Sequence, residues 1–116
     1  MLTISPAVRI YLATGTTDLR RSIDGLAALV RERFELDPTS GHLFLFRNRR
    51  GDRVKVLVWD AGGFCLLYKR LERGTFAWPA GEDEARVEMH SRDLLLLLSG
   101  VDLAHTRRRR WYERVA

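Results

Sequence analysis

Hydrophobic and polar residues alternate along this chain in short runs separated by glycine-bearing turns. Val8, Ile10 and Leu12 fall at every second position and predict a strand over Ala7–Leu12. The period then lengthens. Leu19, Ile23, Leu26, Val30 and Phe34 recur three or four residues apart, which predicts one amphipathic helix over Asp18–Phe34. Thr17 is its expected N-cap, with Asp18 in the first turn facing the positive end of the helix dipole. Gly25 costs such a helix about 1 kcal/mol relative to Ala. Its expected compensation is a close approach by another segment.

After the turn Asp37–Gly41 the period shortens to two. His42–Arg47, Arg53–Trp59 and Phe64–Leu71 read as strands joined by the turns Asn48–Asp52 and Asp60–Gly63, hence as antiparallel hairpins. Opposing Arg47 with Asp52 and Trp59 with Phe64 sorts the side chains onto two faces. One face collects Leu43, Leu45, Val54, Val56, Val58, Cys65, Leu67 and Leu71, and the helix stripe is expected to pack there. The other collects Phe44, Phe46, Arg53, Lys55, Leu57, Trp59, Phe64, Leu66, Tyr68 and Arg70.

Further on, Phe76–Pro79 reads as a short edge strand stopped by Pro79, and Arg86–Met89 as a brief pairing segment. Ser91 is expected to cap a last helix, Arg92–Ser99, ended by Gly100. The predicted fold is therefore α+β: an antiparallel sheet of about five strands, one long amphipathic helix on one face, and a short C-terminal helix.

Composition adds bounds. The 116 residues suit one domain, expected over 1–104, with 105–116 as a basic, flexible tail. Net charge is +5, unevenly distributed. Residues 47–73 hold eight Lys/Arg against three acids, whereas 82–93 hold five acids against two Arg. Such polarity bears on partners rather than on fold. Cys65 is the only cysteine, so no intrachain disulfide can form, which fits a reducing compartment. The N-terminus lacks the pattern of a secretory signal, and the longest aliphatic run, Leu94–Leu98, is far short of the roughly 20 residues that span a bilayer. A cytoplasmic bacterial protein with no membrane partner is the expectation.

Two stretches resemble a known family. GTTDLRRSIDGLAALV, from Gly15 to Val30, and SGHLFLFRNRRGDRVKVLVWDAGGFCLLYKRLERGTFAWP, from Ser40 to Pro79, are similar to the TnpB-type accessory proteins of the IS66 group of bacterial insertion sequences. This family shares only its name with the RNA-guided nuclease. Ser22-Ile23 stands where a Gly and an aromatic are expected, Ala61-Gly62 where Gly-Asp is usual, and Leu67 where Trp is common. The resemblance implies an accessory role beside a separately encoded transposase.

The candidate chemistry is binding. Arg47, Arg49, Arg50, Arg53, Lys55, Lys69, Arg70 and Arg73 could contact phosphates, with Trp59 and Tyr68 stacking on bases or sugars. The competing reading is a sheet buried on both sides, with Phe44, Phe46, Leu57, Trp59 and Leu66 under a helix or partner and the cations snorkelling. The run Arg107, Arg108, Arg109 and Arg110, ahead of Trp111 and Tyr112, could act as a DNA-binding arm or simply be solvated.

Catalysis is not expected. Asp18 and Asp24 would lie about 240° apart on a helix, on different faces. His42, His90, His105 and Cys65 show no ligand spacing, so no metal or cofactor is expected. Cys65 reads as a small buried hydrophobe. The function expected is a non-catalytic accessory factor in transposition that contacts DNA at the element ends and assists the transposase. The alternative is a protein-interaction module bridging transposase subunits without touching DNA. An apolar second sheet face would favour a homodimer.

Overall fold

A computed structural model describes residues 6–79 and 84–100 with their side chains, and the backbone of 112–114. The strands are β1 (Ile10–Ala13), β2 (Leu43–Arg47), β3 (Arg53–Asp60), β4 (Gly63–Arg70), β5 (Arg86–Met89) and β6 (Tyr112–Arg114). They form one sheet in the order β4-β3-β2-β1-β5-β6. The α+β class holds, but the sheet is mixed. β1 runs parallel to β2, with Ile10 beside Leu43, while every other pair is antiparallel. A parallel pair needs a long crossover. The segment 14–42, which carries the first helix, supplies it. Three residues of the expected tail, Tyr112–Arg114, extend the sheet beyond β5.

The hairpins carry the expected faces. Trp59 opposes Phe64 as predicted, whereas Arg47 opposes Val54 rather than Asp52. A two-residue shift of register leaves every side chain on its face, so the sorting survives.

The helix differs from expectation in start and in side. Helix α1 spans Ile23–Leu29 and continues as a π-helical turn over Val30–Phe34, ended by Glu35 at φ 58°. Residues 18–21 instead form a turn. The Asp18 carboxylate accepts from the backbone N–H of Arg20 at 3.0 Å, and Arg21 N–H donates to the Asp18 carbonyl. Lys55 Nζ donates to the carbonyls of Leu19 (2.7 Å) and Arg21 (2.9 Å), two acceptors that a longer helix would need. Thr17 does not cap α1; its N–H donates to Arg47 O at 2.9 Å, and the cap position is Ser22. A Cβ on Gly25 would meet the Arg21 side chain at 3.1 Å, so the close neighbour is the preceding turn, not a second element.

The stripe Ile23, Leu26, Val30 and Phe34 packs not on the aliphatic face but on Tyr11, Phe44, Phe46 and Leu57. Phe34 stacks on Phe46 at 5.9 Å between centroids, and Arg86 donates to the Phe34 carbonyl while lying over the Tyr11 ring. The aliphatic face is covered by other residues. Phe76, Leu94 and Leu97 bury Ile10, Leu12, Leu43, Leu45, Val54 and Val56. Residues 76–79 form no strand. They lie across this face, with Trp78 Nε1 donating to Ala13 O at 2.8 Å. The short helix α2 (Leu94–Leu98) follows a 3-10 turn, Ser91–Asp93; its cap position is Asp93, and Ser91 caps nothing. Cys65 shares the aliphatic face yet is exposed, because β4 is the sheet edge.

Candidate functional site

The β2–β3 turn and the loop before α1 stand side by side at one end of the sheet. Between them lies a cleft of about 740 Å³ lined by Thr16, Thr17, Asp18, Leu19, Arg20, Asn48, Arg49, Arg50, Arg53 and Tyr68. Local chemistry fixes both walls. In the turn, Asn48 Oδ1 accepts from the Arg53 N–H, and its amide donates to Asp52 at 2.9 Å. That bond, chiefly, holds the Asp52 carboxyl below the usual carboxylate range. Gly51 at φ 81° lets the turn close against Thr75. In the loop, Lys55 grips the carbonyls of Leu19 and Arg21, and Thr17 is tied to β2.

The charge in the cleft is unbalanced. Four guanidinium groups line it against one carboxylate. Asp18 is committed to Arg20, with Nη2 to Oδ2 at 2.7 Å and Nε also donating; this pairing lowers its pKa to about 2. Arg50 stands 4.0 Å from Asp52. Arg49 has no hydrogen bond or ion pair among the described residues. Arg53 donates from Nη1 to the Tyr68 hydroxyl at 3.2 Å, and its buried Nε has no partner. Arg53 also opposes Arg70 directly across the β3–β4 ladder. Like charges in that position repel, and an anion between or above them would relieve the repulsion.

The expected site residues therefore separate. Arg49, Arg50, Arg53 and Tyr68 come together in the cleft. Lys55 lies beneath it, its ammonium 5.2 Å from the Tyr68 ring centroid, with two of its protons already given to carbonyls. Arg70 lies beside the cleft on the edge strand, paired with Glu72 at 2.9 Å. Arg73 is exposed in the following bend.

Arg47 and Lys69 project to the opposite face, each directly opposite Val54, one across the β2–β3 ladder and the other across β3–β4. Arg47 donates to Phe76 O at 2.9 Å, and burial pulls its pKa below the ordinary value. Trp59 sits at the far end of β3, edge-on to Phe64 at 5.0 Å. Six residues of strand, roughly 20 Å, separate it from Arg53. Arg107, Arg108, Arg109 and Arg110 lie outside the described residues.

Thr16, Thr17 and Arg20 were not expected here. Their signal was the polar run Gly15-Thr16-Thr17-Asp18 ahead of Arg20-Arg21, which a predicted helix start obscured. Asp24 is exposed on α1, and among the described residues no group of three or more His, Cys, Asp or Glu is placed to hold a metal ion. No helix among them is long and apolar enough to cross a membrane.

Comparison with known proteins extends the picture. A family model described as "IS66 Orf2 like protein" matches residues 8–108. The chain is 44% identical over 105 residues to "Uncharacterized protein y4hO" of Sinorhizobium fredii, covering 90% of both chains. It is 38% identical over 109 residues to "Uncharacterized protein y4jC" of the same organism, covering 94% of this chain and 92% of the relative. No solved structure matches. The match spans both walls of the cleft and nearly all of the sheet, and the chain belongs to the IS66 Orf2-like family of insertion-sequence proteins.

Proposed function

We propose that this protein is a non-catalytic accessory factor in transposition that holds DNA phosphates in the cleft between the 16–20 loop and the β2–β3 turn. The observation that carries this reading is the convergence of Arg20, Arg49, Arg50 and Arg53 with two threonines, against the single carboxylate of Asp18. Guanidinium groups suit phosphate oxygens, and threonine hydroxyls supply further donors. Such contacts confer affinity and salt dependence rather than sequence specificity. Arg47 and Lys55 are assigned to the fold, since backbone carbonyls occupy them.

Duplex DNA from an element end, titrated with the purified protein, tests the reading. Affinity should fall steeply between about 50 and 200 mM salt, as counterion release requires. Arg49→Glu combined with Arg50→Glu should weaken binding and flatten the salt slope, while Lys69→Glu on the other face should change both far less. An absence of binding at low salt to both the duplex and its separated strands sinks the reading.

A second reading rests on exposed apolar residues of the other face. Leu95 and Leu96 on α2 are 79% and 43% exposed, and Leu67 on β4 is 42% exposed. These suit a protein partner such as the transposase. Leu95→Lys would then abolish co-purification with the transposase and leave DNA binding intact.

A further inference from the structure

Tyr68 is the aromatic side chain in the cleft lining, and it is 53% exposed. An exposed tyrosine on an edge strand is ordinarily unconstrained, but this ring is held at two points. Its hydroxyl accepts from Arg53 Nη1 at 3.2 Å, and Lys55 Nζ sits 5.2 Å from its centroid. Lys55 is itself fixed by the carbonyls of Leu19 and Arg21. One side of the ring is thus against a cation, and the exposed remainder opens among Arg20, Arg49, Arg50 and Arg53. A flat apolar surface, oriented in advance and surrounded by phosphate-binding groups, matches what an unpaired nucleotide presents: a base to stack and a phosphate beside it. A base inside a duplex cannot offer its face to a side chain, since its neighbours in the stack cover it.

We infer that the cleft takes single-stranded DNA, with Tyr68 stacking on one unpaired base while Arg49, Arg50 and Arg53 hold the flanking phosphates. This rests on the reading of the cleft as a phosphate site and adds the state of the strand. The cleft volume of about 740 Å³ accommodates a nucleotide with its neighbouring phosphates.

The test separates base from phosphate. Binding of the full-length protein is measured for a thymidine oligonucleotide of about 12 residues, a length within the range bound by single-strand modules. An abasic oligomer of equal length and charge, and a duplex of equal length, are measured alongside it. The expected result is that the thymidine strand binds at least about 5-fold more tightly than the abasic strand. Tyr68→Ala should erase that advantage by weakening thymidine-strand binding more than abasic-strand binding, and Tyr68→Phe, which retains the ring, should keep most of it. Equal affinity for thymidine and abasic strands overturns the inference and leaves the phosphate reading standing, as does an equal loss on both strands in Tyr68→Ala. Duplex binding as tight as that of the thymidine strand also overturns the inference, and a failure of all three nucleic acids to bind removes both readings.

Discussion

Arg47 lies with its guanidinium carbon 5.5 Å from the centroid of the Trp78 ring and donates from Nη1 to the carbonyl of Phe76, two residues earlier. One side chain from the sheet thereby fastens a strandless segment, which covers the core with Phe76. Phe76 N–H completes the attachment by donating to Gly51 O at 2.8 Å. The arginine that looked like part of a polyanion surface is a clasp.

Removing the clasp should loosen the cover. A charged hydrogen bond contributes about 1.5–3 kcal/mol and a partly buried cation–π contact about 1 kcal/mol more. Arg47→Ala should therefore lower stability to urea by about 2.5–4 kcal/mol, whereas Arg49→Ala should stay within about 0.5 kcal/mol of the parent. Equal stabilities for the two variants would contradict the assignment.

Lys55→Met keeps the aliphatic stem and removes the ammonium. The carbonyls of Leu19 and Arg21 then lose their donor, which should destabilise the protein by about 1–3 kcal/mol. Hydrogen exchange should localise the damage: amides of residues 17–22 lose protection while those of β3 keep theirs. Uniform change across the sheet would show that the loop is held by something else.

Acid should release the cleft wall before it unfolds the sheet. The Asp18 carboxyl falls from its ordinary 3.8 to about 2, chiefly through its hydrogen bonds with Arg20. A depressed carboxyl pKa stabilises the folded form above the unfolded value, and the effect disappears as pH drops through the folded one. Carbon-detected titration of Asp18 should give a midpoint near 2, with the Arg20 Nε resonance moving in step. Asp18→Asn should remove that step, and a midpoint near 4 in the parent protein would contradict the pairing.

The β3–β4 turn offers a stabilising change. Ala61 at φ 51° and Gly62 at φ 87° both occupy the left-handed region, as a type I′ hairpin turn requires. Alanine pays a steric penalty there that asparagine largely avoids. Ala61→Asn should raise the stability by about 0.5–1 kcal/mol in thermal or urea unfolding. A loss of stability would show that the turn depends on something other than backbone preference.

Alternation made the hairpins legible. The sequence places Leu43, Leu45, Val54 and Val56 on one face and Phe44, Phe46 and Leu57 on the other, as found, because successive side chains of a strand point to opposite faces whatever the exact register, and here each face is buried against a different set of residues. The helical stripe was legible for the same reason, but its destination was not. The second face mixes Arg53, Lys55 and Arg70 with aromatics, and treated as a whole it looks solvated. In space the two chemistries separate along the strands. The aromatics of β2 lie beneath α1, while the cations sit at the β2–β3 end, where α1 has not yet begun.

Other features depended on distant partners. The helix start at Ile23 depends on Lys55 taking carbonyls from across the sheet. The parallel pairing of β1 with β2 leaves no local trace, since neither strand's own pattern encodes the direction of its neighbour. The family resemblance was legible because the segment with the strongest alternation is also the most distinctive string.

The central place of β1 has a consequence for how the chain is made. It is the first of the described strands to be synthesised, yet its two neighbours come from Leu43 onward and from Arg86 onward. The meander β2–β3–β4 can assemble from consecutive residues as they emerge from the ribosome. β1 must meanwhile wait with both edges bare, then accept one partner on each side at different times. Once the residues through Gly74 have cleared the ribosome the meander should be formed, and only when β5 has also emerged should β1 become enclosed. Birth order and position in the sheet are thus inverted: the earliest strand is sealed in among the last.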